Sequence, residues 1–84
     1  MATISFIAII PLGACLDDIV AQVVTGQHER SLLERVTVTR VAGECVQVSA
    51  RYPSAAGEAE INDAAHRMMT AVRPHPADSL RVRI

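Results

Sequence analysis

The first segment of the chain is rich in isoleucine on both alternating faces of a predicted strand over residues 3–10. The two faces carry Ile4, Phe6, Ala8 and Ile10 on one side and Ser5, Ile7 and Ile9 on the other. A strand that is apolar on both faces is typically central in its sheet. Pro11 cannot donate to a strand ladder and therefore ends this strand.

Two later segments repeat their apolar residues at the period of a helix. The first stripe consists of Leu16, Ile19, Val20, Val23 and Val24, and the second of Ile61, Ala64, Ala65, Met68, Met69 and Val72. These spacings predict two amphipathic helices. Gly26 is a stop signal for the first helix, and Ser54 is the predicted cap of the second.

Residues 33–41 and 45–52 alternate with a period of two and are rich in β-branched residues, which predicts a hairpin around Ala42-Gly43-Glu44. With Gly43 at positive φ in a three-residue loop, Val38 faces Val48 and Val36 faces Ala50 on the core side. A last strand is predicted where Leu80, Val82 and Ile84 alternate with Arg81 and Arg83.

The predicted order is β-α-β-β-α-β within one domain, residues 1–84. Two split β-α-β units of this kind give a ferredoxin-like α+β sandwich. Right-handed crossovers place both helices on one face of a four-stranded antiparallel sheet. The first and third strands are then central, and the second and fourth are edges.

The composition limits the classes of partner that this chain is expected to bind, but it does not identify a particular partner. The formal net charge is −1, which gives no argument for nucleic acid or an anionic membrane. No charged residue precedes Asp17, so a basic signal-peptide region is missing, and the uncharged run 4–16 is too short to span a membrane. We therefore expect a cytoplasmic protein whose two cysteines are reduced. The spacing of its cysteines and histidines predicts no metal site and no cofactor.

The open face of the predicted sheet is the first candidate surface. It carries an apolar pair, Ile7 and Ile9, and four arginines, Arg35, Arg51, Arg81 and Arg83. An apolar patch with a charged rim is typical of a protein interface. The pattern favours a homodimer or a partner protein; a plain solvated strand face is the alternative. An RNA-binding sheet is disfavoured, because the central strands present no outward aromatic residue for base stacking.

The turn that joins the first strand to the first helix is the second candidate site. Leu12, Gly13, Ala14 and Cys15 precede the helix, so backbone N–H groups there point outward and suit a small carboxylate or another anion. An ordinary tight connection is the alternative. Cys15 at a helix start would also suit a thiol-dependent enzyme, but His28, His66 and His75 are candidates for its base only by elimination.

The layout resembles the ACT-type regulatory modules in element order and length. The matching features are Gly13 in the first turn, Leu16 to Ile19 in the first helix, the hairpin VTVTRVAGECVQVSA and the terminal SLRVRI. The resemblance implies a non-enzymatic module that senses a small molecule, often an amino acid, near the first turn at a dimer interface. A structural or protein-interaction subunit without a small ligand is the alternative function.

Overall fold

The computed structural model describes residues 2–27, 31–76 and 80–83. Its elements are β1 (Ala2–Ile9), α1 (Leu16–Thr25), β2 (Arg35–Ala42), β3 (Cys45–Tyr52), α2 (Glu58–Ala71) and β4 (Arg81–Arg83). The strands form one antiparallel sheet in the order β2-β3-β1-β4. The predicted α+β class and the central positions of β1 and β3 are confirmed, and the arrangement is compatible with a ferredoxin-like fold. The predicted strand residue Ile84 lies outside the described residues.

The core lies between one face of the sheet and the two helices. Even-numbered residues of β1 and β3 are buried on that face, and each helix buries its apolar stripe against them; the helical members are Ile19, Val23, Ile61, Ala64, Ala65 and Met68. Both helices therefore cover the same face, as predicted. The α2 stripe is buried as expected apart from Met69, which is half-buried, whereas Val24 of α1 is exposed.

The β1–β3 pairs combine large with small side chains on the core face. Tyr52 lies opposite Ala2, and Ile4 lies opposite Ala50. Each of these four residues is at most 1% exposed. Because a protein interior tolerates few voids, a small residue beside each large one lets the helices approach the sheet closely. The chain thereby builds a continuous core with only two aromatic residues.

The β2–β3 hairpin has the predicted register. Val38 pairs with Val48, Val36 pairs with Ala50, and Gly43 has a φ of 55°. The ladder extends beyond the prediction to Ala42 and Cys45, with an irregularity between Arg40 and Ala42. The loop is therefore two residues long and is preceded by a bulge at Val41 in β2, rather than being a three-residue loop.

A segment after α2 covers the part of β1 that β4 does not reach. β4 pairs only with Thr3 to Ser5. Beyond that point Pro74 forms an antiparallel bridge to Ala8, and the Ile9 amide donates to the Arg73 carbonyl at 2.9 Å. The His75 amide donates to the carbonyl of Ile7, also at 2.9 Å. On this side of the sheet, β4 therefore pairs with the first part of β1, and the segment after α2 pairs with its last part.

Two helix boundaries differ in detail from the predictions. The second helix begins at Glu58 with Gly57 as its N-cap, so the prediction that Ser54 caps it is wrong. The C-cap Gly26 has a φ of −73°, in the right-handed region. The helix therefore does not end here through a left-handed glycine conformation. A Cβ at this position would lie 3.5 Å from the Cβ of Ala71. This is an ordinary van der Waals distance, so the packing of the two helix ends does not require a glycine here.

Tyr52 closes one end of the core and keeps its hydroxyl group in a polar contact. Its O–H donates to Oε1 of Gln27 at 3.2 Å, while the residue as a whole is buried. Burial raises the pKa of the phenol, and the negative charges of Glu60 and Asp63 act in the same direction. A hydrogen bond with Ser31 opposes this pKa increase. The folded chain therefore favours the neutral phenol.

We expect the tyrosine of the folded protein to ionise above its ordinary pKa of 10.0. Below that pH both states keep the proton, so Tyr52 makes no pH-dependent contribution to stability. Above it the unfolded chain releases the proton first, so the free energy of unfolding falls as the pH rises towards the folded pKa. Phenolate absorbance measures this cleanly, because the chain has one tyrosine and no tryptophan. Tyr52→Phe should remove this component of the alkaline loss, and a wild-type midpoint at or below 10 would contradict the prediction.

Candidate functional site

The strand register sorts the open sheet face into two rows that cross all four strands. The first row runs Arg35, Arg51, Thr3 and Arg83, and the second runs Thr37, Ser49, Ser5 and Arg81. Directly opposed residues in such rows have Cβ atoms roughly 4.5–5.5 Å apart. All four predicted arginines therefore lie at one end of the face, with hydroxyl side chains between them, and Arg35 lies opposite Arg51 as expected.

The apolar pair is not where the sequence placed it. Ile7 pairs with Gln47 and Ile9 pairs with Cys45, so both isoleucines lie beyond the arginine rows, towards the other end of the sheet. Both side chains are half-buried. The expectation that the arginines form a rim around this apolar pair is wrong, because β4 pairs with only the first part of β1. The face has a cationic, hydroxyl-rich end and a separate apolar end.

In the part of the sheet that the structure describes, no acidic side chain balances the cationic end. No acidic residue occupies an open-face position of the four strands, while four of the eight basic residues do. Among the described residues, the ion pair joins Arg67 to Asp63 within α2, 2.8 Å apart, and none of the four open-face guanidinium groups takes part in one. This end therefore carries four formal positive charges in a chain whose formal net charge is −1.

The turn after β1 is open to solvent, as expected for a binding loop. Leu12 is 67% exposed, and Gly13 and Cys15 are exposed as well. Ala14 is half-buried against the core, and its N–H donates to the Pro11 carbonyl at 3.0 Å. The N–H groups of Gly13 and Cys15 are therefore the turn's candidate donors, and Cys15 is the N-cap of α1.

Arg40 joins this turn to the tip of the hairpin, a role that the sequence analysis missed. Its guanidinium donates to the carbonyls of Ile10 and Pro11, each at 3.2 Å, and to that of Gly43 at 2.8 Å. The Ile10 amide also donates to the Glu44 carbonyl at 2.7 Å. A signal was present in the sequence, because Arg40 occupies a core-side position of β2 where the alternation calls for an apolar residue.

The charged side chains around the turn have opposite effects on the binding of an anion. Arg40 brings a positive charge to the carbonyl side, which favours an anion nearby. Asp17 and Asp18 lie in the first turn of α1 and are exposed. They suit the helix dipole, but they also repel an incoming carboxylate. The predicted ligand-binding role of residues 12–15 stays a prediction.

The described part of the chain offers little for other chemistry. Within it, no group of three or more His, Cys, Asp or Glu residues could hold a metal ion. Cys15 and Cys45 are both free thiols, and His28 lies outside the described residues. Neither described helix is long and apolar enough to cross a membrane.

No family model, no curated protein and no solved structure matches this chain.

We call the three hydrogen bonds that Arg40 donates to the turn after β1 and to the hairpin tip the Arg40 clamp. We expect this clamp to be the main polar interaction that stabilises these two turns. Arg40→Met should lower the free energy of unfolding by about 1–3 kcal/mol, because it removes hydrogen bonds from a charged donor to three carbonyl groups. Arg40→Lys should restore only part of the loss, since an ammonium group cannot reproduce the planar fork. Urea unfolding followed by circular dichroism measures both values.

Arg35→Met is the matched control for this prediction. Arg35 lies on the same strand, but it is exposed and faces Arg51. Its removal should change the free energy of unfolding by no more than about 0.5 kcal/mol. Equal losses from the two substitutions would show that Arg40 does not act as a clamp.

Proposed function

We propose that this chain is a non-enzymatic binding module that acts as a homodimer, with β2 of each copy as the joining strand. The observation that carries the proposal is the free outer edge of β2, eight residues long, whereas β4 at the other edge has three. Unpaired edges of this length template pairing with another chain unless charges, prolines or bulges block it. β2 contains no proline, and its irregularity lies close to its end.

Exposed apolar residues at both ends of β2 support this choice of edge. Leu32 lies three residues before the strand and is 44% exposed, and Val41 near its end is 57% exposed. In an antiparallel pair of β2 strands, the start of one strand lies beside the end of the other. Leu32 of one copy would then lie at the same end of the two joined strands as Val41 of its partner, three residues before the position opposite that valine, so that exposed apolar residues of both copies would gather at each end.

The charges along β2 are compatible with self-pairing. A two-fold axis at Val38 would place Thr37 opposite Thr39 of the partner, and Thr–Thr pairs stabilise adjacent strands. Arg35 would face Val41, so no like charges would be directly opposed. A dimer formed by stacking the two open faces would instead bring two sets of four arginines together. That repulsion makes the edge the better interface.

We expect light scattering with size exclusion to give twice the chain mass for the wild type, and the chain mass for Thr37→Lys combined with Thr39→Lys. The two lysines put like charges across the seam, on an exposed face that the monomer tolerates. Gln47→Lys combined with Ser49→Lys is the matched control, since these residues are the β3 partners of the same two threonines.

The control should stay dimeric, because it adds the same charges to the same face away from the edge. A wild-type monomer would overturn the dimer. A dimer that Ile7→Glu disrupts and the Thr37 and Thr39 lysines leave intact would move the interface to the sheet face. If the chain is a monomer and binds another protein, the result would reject the homodimer and support the alternative function, a protein-interaction subunit.

A second candidate function is the sensing of a small carboxylate, such as a free amino acid, at residues 12–15. The specific observation in its favour is the Arg40 guanidinium beside the turn, which adds positive charge close to the exposed N–H groups. The ACT-like layout points to the same place. We also propose, for either function, that the chain is cytoplasmic and has no catalytic role.

We expect calorimetric titration with a panel of amino acids and acetate to detect binding that Asp17→Asn strengthens about two- to fivefold. The substitution removes a negative charge beside the donors, an effect on the order of 0.5–1 kcal/mol. Glu58→Gln makes the same charge change at the start of α2 and should leave the affinity unchanged. No heat and no thermal shift across the panel would remove the sensing function.

A further inference from the structure

We propose that the cationic end of the open sheet face is a site for a phosphoryl group carried by a small molecule. A depression of about 290 Å³ lies there, lined by Thr3, Ser5, Gln47, Ser49, Arg81, Val82 and Arg83. The proposal does not depend on the dimer or on the turn, because its residues come from β1, β3 and β4.

The donors in this depression suit an oxyanion with several acceptor oxygens. The register places Ser5 between Ser49 and Arg81, and Thr3 next to Arg83. Arg81 and Arg83 are two residues apart on one strand, so both side chains rise from the same face. Two guanidinium forks and three hydroxyl groups therefore converge on one place, and the phosphoryl group matches such a set better than the two oxygens of a carboxylate.

The charge balance also calls for an external anion. Arg83, Arg51 and Arg35 lie in one row, and no acidic residue occupies the face between them. Arg35 and Arg51 are direct cross-strand neighbours of like charge, which disfavours their pairing unless an anion lies close by. Arg67, on the helix side of the molecule, has by contrast a carboxylate partner in Asp63 at 2.8 Å.

Size and surface chemistry favour a small ligand over nucleic acid. The volume of the depression lies just below the range for small-molecule pockets, about 300–1,000 Å³. The two aromatic residues of the chain, Phe6 and Tyr52, are buried on the opposite side of the sheet. The described strands of this face therefore present no Phe, Tyr or Trp ring on which bases could stack.

The test uses inorganic phosphate as the probe, with sulfate and acetate as comparisons, in titrations at constant ionic strength followed by amide chemical shifts. We expect saturable shifts centred on Ser5, Ser49 and Arg81, and weaker binding of acetate. Arg81→Gln and Arg83→Gln should each weaken phosphate binding about tenfold, because each removes a charge-assisted hydrogen-bond donor. A phosphate monoester such as glycerol phosphate should bind at least as tightly as phosphate itself.

Arg67→Gln is the matched control, since it removes the same charge from the helix side of the molecule. Its phosphate affinity should equal that of the wild type, and the amide spectrum of each variant should keep the dispersion of the folded protein. Ser49→Ala, a smaller change, should weaken binding without disturbing the fold.

Four outcomes would overturn the proposal. They are no saturable shifts with any probe, equal weakening by Arg67→Gln, equal binding of acetate and phosphate, and shifts that map to residues 12–15 instead. A single-stranded RNA oligonucleotide that binds the same face far more tightly than a phosphate monoester would replace the small ligand by nucleic acid. A negative result in the phosphate titrations would not count against the proposed dimer, because the light-scattering result depends on different residues.

Discussion

The register between β1 and β3 is the constraint on which the rest of this structure depends. It buries Ile4, Phe6 and Val48 together beneath the helices. Fully burying one such side chain contributes about 1.5–3 kcal/mol. A slip of β1 by one residue against β3 would turn Ile4 and Phe6 away from the core and bring Ser5 into it. The composition of the open face is therefore fixed by what the opposite face buries, so the arginine rows are held in place without contacts of their own.

A second constraint operates at the end of the sheet where β1 leaves it. The chain there must pass from a central strand to a helix on one face, which leaves the carbonyls of Ile10 and Pro11 outside the ladder. Arg40 satisfies both of them and also bonds to the hairpin tip. Hydrogen bonds from one side chain thus join the hairpin tip to the first turn. A charged residue at a core-side position of β2 is tolerated because it has several partners and is only half-buried.

Much of the fold followed from patterns that act locally. The alternation of valines with threonines placed Val38 and Val48 on the same face, and the loop position then predicted the pairing that the structure has. The approximate helix spans followed from the apolar stripes. The bridge between Pro74 and Ala8 could not be predicted, since a segment interrupted by prolines has no strand periodicity and pairs only because β4 stops short. The start of α2 at Glu58 was missed because Ser54 fits a cap by residue type alone.

The candidate site was predictable in its members but not in its layout. The four arginines could be assigned to one face by counting alternate positions. Their crowding at one end depends on how far β4 pairs along β1, which is a tertiary property. The same holds for the role of Arg40, whose three acceptors come from two turns some 30 residues apart in sequence.

The strand order separates the two proposed ligand positions in a way that bears on regulation. The arginine depression is lined by β1, β3 and β4, whereas the proposed seam lies at β2, on the other edge of the sheet. The turn after β1 is bonded to Arg40 of β2 and therefore lies beside the end of that seam. A ligand shifts an association equilibrium only as far as it binds the two states differently. Of the two positions, the turn is therefore the one from which a bound ligand could alter dimerisation, while the depression would bind its ligand equally in monomer and dimer.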